Sequence, residues 1–138
     1  MDFFSQIDAS PASVDDAIRQ TYADDRFWSV LMDQSVGAGP FDGACRITAM
    51  AIQMAFGGAL AALVGEDGVV HHYGVTRDGL AFDFDGLAQS LDEWRERFSQ
   101  NENITVRLFP VTSAIPENDI PTDPAASRAI SALLLANA

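Results

Sequence analysis

Apolar positions in the first third of the chain recur at helical spacing. Ser10-Pro11 supplies a cap and a first-turn proline, and Val14, Ile18 and Tyr22 follow at intervals of four, which predicts a helix. From Asp24 to Met32 the residues Phe27, Trp28, Val30, Leu31 and Met32 predict a second short helix, and Gly37 to Gly43 reads as a loop. The stretch from about Ala44 to Phe56 is apolar on most sides, the mark of a helix buried centrally and covered on several faces.

The period then changes. Ala59 to Val64, Val69 to Thr76, Leu80 to Asp85 and Ile104 to Phe109 read as four strands, the first three separated by Glu66-Asp67-Gly68 and Asp78-Gly79 turns. Strands joined so tightly run antiparallel. Before the fourth, Ser90-Leu91-Asp92-Glu93 has the form of a capping box and opens a helix to about Phe98, with Leu91, Trp94, Arg95 and Phe98 on one side. Pro116, Pro121 and Pro124 punctuate an acidic loop at 116–123, and Asp123-Pro124 starts a last helix through Ala126, Ile130, Leu133, Leu134 and Asn137. The whole order is α+β, and its length suits one domain over 1–138.

A two-residue Asp78-Gly79 loop pairs Arg77 with Leu80 and fixes the register of the hairpin. Thr76 then faces Ala81, Gly74 faces Asp83 and His72 faces Asp85. One face of the hairpin carries Val69, His71, Tyr73, Val75, Leu80, Phe82 and Phe84, a packing surface. The other carries His72, Gly74, Ala81, Asp83 and Asp85, small residues around a histidine and two carboxylates, a place for the end of the Ala44 to Phe56 helix to approach. This register selects His72 over His71, with Asp85 opposite it and Asp83 diagonal.

Composition narrows the chemistry. The net charge of −12 repels a phosphate backbone, so nucleic acid is not an expected partner. All eight basic residues are arginine, which excludes a Walker-type lysine and Schiff-base chemistry on a lysine side chain. A lone cysteine makes no internal disulfide, and with two histidines it is too little for a structural zinc site, so neither metal nor cofactor is expected. Residues 49–65 are apolar except Gln53, but Gly57-Gly58 splits them into helix and strand rather than a membrane span. No signal peptide is read at the N-terminus, and with the unpaired thiol this points to the cytoplasm.

Cys45 is that lone cysteine, and it stands where the central helix begins. Backbone N–H groups and the helix dipole there favour a thiolate, and an imidazole can take the thiol proton while a carboxylate holds its other ring nitrogen. The chain order is nucleophile, base, orienter.

Residues 43–98 resemble small papain-like, Cys-His-Asp cysteine-hydrolase domains, including the transglutaminase-like group. The similar pieces are Gly43-Ala44-Cys45 opening an Ala-rich helix, its Phe56-Gly57-Gly58 exit, His72-Tyr73-Gly74-Val75, and Asp78 to Gly86 ahead of the helix bearing Trp94. The resemblance implies a central Cys-bearing helix packed on a four-stranded, mainly antiparallel sheet with flanking helices. It further implies Cys45 as nucleophile, His72 as base and Asp83 as orienter, in a peptidase, amidase, deamidase or transglutaminase-like enzyme acting on a protein or peptide. The glutamine that papain's close relatives place shortly before the cysteine has its nearest counterpart at Gln34, eleven residues away.

Plainer readings stand beside this one. Cys45 can be a small buried hydrophobe, the histidines satisfied sheet residues, Asp83 and Asp85 solvated turn groups, and Trp28 and Trp94 core. Asp83 and Asp85 lack the opposed placement of a glycosidase pair, and Asp83 to Gly86 lacks the remaining ligands of a calcium loop. The alternative function is a non-catalytic acidic inhibitor, of phage or defence type, that engages a basic partner protein.

Overall fold

The computed structural model describes residues 10–33, 44–84, 86–111 and 122–138. The loop at 37–43, Gln34, Asp85 and positions 116–121 of the acidic loop lie outside them.

Helix α1 (Pro11–Tyr22) starts where Ser10 Oγ accepts the backbone N–H of Ser13, and it buries Val14, Ala17, Ile18 and Thr21 on one stripe. Helix α2 (Asp25–Asp33) follows Asp24, whose carboxylate accepts the N–H of Arg26, and inserts Phe27 and Leu31 into the core. Helix α3 (Cys45–Phe56) buries eight of its twelve residues and ends at Gly57, whose positive φ of 81° a side chain would oppose. A helix apolar all round needs neighbours on several sides. Here it has the sheet on one side and α5 (Pro124–Ala136) on another, with Ser127 Oγ donating to the Ile47 carbonyl at 2.9 Å.

The described sheet has five antiparallel strands rather than the four expected, β1 (Ala59–Gly65), β2 (Val70–Arg77), β3 (Leu80–Asp83), β4 (Gly86–Ala88) and β5 (Val106–Pro110). Their spatial order is β4-β3-β2-β1-β5. The extra strand arises because the third run does not continue to Asp85. Its chain reverses after Asp83, which pairs with Gly86, and three residues return along β3. The β2–β3 hairpin has the predicted register at Arg77↔Leu80, Thr76↔Ala81 and Val75↔Phe82.

β2 also carries an irregularity that alternation alone does not reveal. Leu63 pairs with His72 but Val64 pairs with Val70, so His71 is the extra residue of a bulge. Val70 therefore takes the buried place expected of Val69, which is exposed instead.

Two buried clusters sit on opposite faces of the sheet. Tyr73, Val75 and Phe82 join α1, α2, α3 and α5 on one side, and Phe84 stacks on Phe27 there at 4.8 Å. Ala61, Leu63, Ala81 and Ala88 join Trp94 on the other, beneath α4 (Leu91–Glu102). No helix among the described residues is long and apolar enough to cross a membrane.

Candidate active site

Cys45 is the first residue of α3. The residue before it is Ala44, which has no side-chain oxygen to cap the helix, so the amides of the first turn are not taken by an N-cap side chain. Thr48 Oγ1 lies over the same turn and donates back to the Ala44 and Cys45 carbonyls. The Arg46 guanidinium rests 5.0 Å over the Tyr73 ring, which ties this turn to the strand residue next to His72.

His72 lies in β2 just past the bulge, with the Cys45 side chain near enough to influence its charge. Its Nε2 lies 2.8 Å from Asp83 Oδ2. A carboxylate only accepts, so Nε2 carries a hydrogen toward Asp83. The imidazole is stacked on Phe98 at 5.0 Å, with the rings 16° from parallel. Cys45, His72 and Asp83 are all buried, with 2%, 2% and 4% of their surfaces exposed.

Asp83 is held from three directions. The Trp94 indole N–H donates to Oδ2 at 2.8 Å, the oxygen that also receives His72. Arg97 Nη2 stands 3.6 Å from Oδ1 and donates to the Gly86 carbonyl at 3.3 Å. Two of these groups come from α4, whose start is fixed by Ser90 Oγ accepting the Glu93 N–H.

These contacts decide the charges. Burial alone would push the His72 imidazole down, but the hydrogen bond and charge of Asp83, with Cys45 nearby, outweigh it and raise the pKa from 6.5 to about 9. Burial alone would push the Asp83 carboxyl up. The His72, Trp94 and Arg97 contacts reverse that and hold it below its ordinary value. A buried carboxylate facing a readily protonated imidazole can stabilise an imidazolium beside a thiolate.

Of the sequence-predicted residues, His72 and Asp83 are hydrogen-bonded, and Cys45 is near enough to His72 to influence its charge. His71 is not among them: it sits on the bulge, partly exposed, with Nε2 3.8 Å from Asp67. The small residues beside His72 serve another purpose than the expected one. Their space is filled by the Trp94 indole from α4, not by the end of α3: a Cβ on Gly74 would lie 2.5 Å from Trp94 Cζ2.

Trp94 and Arg97 are the site residues that sequence reasoning passes over. Their spacing of three puts them on one side of α4, and Gly74 with Ala81 across two strands signals a bulky neighbour. Arg95, grouped by spacing with Trp94, pairs instead with Asp92 and Glu96 along its own helix. Among the described residues no group of three or more His, Cys, Asp or Glu side chains is arranged to hold a metal ion. Compared with protein-family models, curated proteins and solved structures, the chain matches none.

Proposed function

We propose that this chain is a thiol-dependent hydrolase or acyltransferase of papain-like arrangement, acting on an amide or thioester bond in a protein or peptide substrate. The observation that carries the reading is the buried His72–Asp83 hydrogen bond at 2.8 Å, with Cys45 nearby at a helix start. His72 takes the Cys45 proton on Nδ1. The thiolate attacks the carbonyl carbon, and first-turn amides of α3 receive the developing oxyanion. Collapse breaks the C–N or C–S bond, and the imidazolium returns its proton to the leaving amine or thiol. Water or an amine, deprotonated by His72, then attacks the acyl-enzyme and releases Cys45 as the thiol. Asp83 holds the ring through both halves.

The sulfur is covered, so a substrate carbonyl reaches it only after that cover moves. The −12 charge biases the choice toward basic stretches of substrate. Incubation with a small activated thioester, followed by intact mass measurement, tests the reading. The native protein is expected to gain one acyl group on Cys45, and Cys45→Ala none. Acylation at equal rates in the native protein and His72→Ala would overturn it.

A further inference from the structure

We propose that Trp94 is a positioning residue of this site: its indole N–H holds the Asp83 carboxylate in the one orientation that serves His72. The inference rests on the catalytic reading above and assigns a task to a residue that acts through Asp83.

Asp83 is the last residue of β3, at the end of that strand's ladder, and its side chain has two torsions to fix. The bond to His72, taken by itself, fixes one oxygen and allows rotation about that bond. A second donor at 2.8 Å on the same oxygen removes that rotation. The donor's chemistry matters as much as its place. An indole N–H carries no charge and does not titrate, so it orients the carboxylate at every pH without neutralising it. Arg97, the charged neighbour, is ion-paired with the other oxygen at 3.6 Å.

Trp94 is itself tightly placed. It is 1% exposed, lies in the first turns of a capped helix, and fills the space that Gly74 leaves empty. A residue needed only for bulk would not have to aim a polar edge at Asp83. The alignment of the indole with the carboxylate makes the register of α4 against the sheet part of the site.

The test replaces Trp94 by benzothienylalanine, which keeps the ring shape and exchanges the N–H for sulfur, with Trp94→Phe as a second variant. The readout is the pH profile of Cys45 alkylation by iodoacetamide, recorded beside the native protein and His72→Ala, with melting temperatures as the packing control. We expect the isosteric variant to melt close to the native protein. Its profile should shift to higher pH, with a rate at pH 6.5 about tenfold lower. A profile superimposed on the native one, while that of His72→Ala is displaced, overturns the role of Trp94 and leaves the catalytic reading standing. Coincidence of all the profiles overturns both.

Discussion

Gly74 and Trp94 fit one another across the sheet and α4, with the place of a Gly74 Cβ only 2.5 Å from Trp94 Cζ2. The Phe82 carbonyl stands 3.1 Å from the same point, so the added atom would meet backbone as well as ring. Gly74→Ala is therefore expected to overpack the α4 side of the sheet and cost about 1–3 kcal/mol. Urea unfolding monitored by tryptophan fluorescence measures it. A neutral or stabilising effect would show that the indole has room to retreat.

Asp83 is the acceptor for two buried donors, the His72 ring and the Trp94 indole. Asp83→Ala strands both and leaves a buried imidazole without its counter-charge, for a loss of about 3–5 kcal/mol. Asp83→Asn retains a carbonyl oxygen and should lose less stability while still slowing Cys45 alkylation. Equal unfolding free energies for the two variants would contradict the two-donor arrangement.

Much of this is legible in the residues. The Asp78-Gly79 turn sets the hairpin register, and that register singles out His72 over His71 by parity alone. The bulge at His71 and the reversal after Asp83 are not legible, because each changes alternation by a local backbone event that no residue type announces. The partner of the small residues escapes the sequence for a related reason. Gly74 and Ala81 indicate that something large approaches, but which helix supplies it depends on the packing of α3 and α4 on opposite faces. Parity alone leaves Asp83 and Asp85 both within reach of His72; Asp83 has a 2.8 Å contact, and Asp85 lies outside the described residues.

The His72 contacts make stability depend on pH in a stated direction. Its pKa is raised on folding from 6.5 to about 9, so the contribution is fully present below 6.5 and is lost as pH rises through 9. Asp83 is lowered from 3.8, so its contribution is present above 3.8 and is lost as pH falls through the folded value. The melting temperature of the native protein should therefore decline between pH 6.5 and 9 more steeply than that of His72→Gln. Parallel slopes in that window would show that the imidazole gains no proton affinity on folding.

Helix α4 delivers Trp94, Arg97 and Phe98 to the site from a start set by Ser90. Glu93 also reaches back to accept the Gln89 N–H at 2.9 Å. Ser90→Ala should cost about 1 kcal/mol, seen as a melting temperature lower by a few degrees. Ser90→Asp should restore it. Failure of Asp to rescue would mean that the hydroxyl does more than cap.

The central claim is that His72 governs the reactivity of Cys45, and the pH profile of Cys45 alkylation in the native protein and in folded His72→Ala tests it most directly. At neutral pH the native thiol is expected to alkylate faster than the thiol of His72→Ala. The rise of the profile in His72→Ala is expected at higher pH than in the native protein. Superimposable profiles would contradict it.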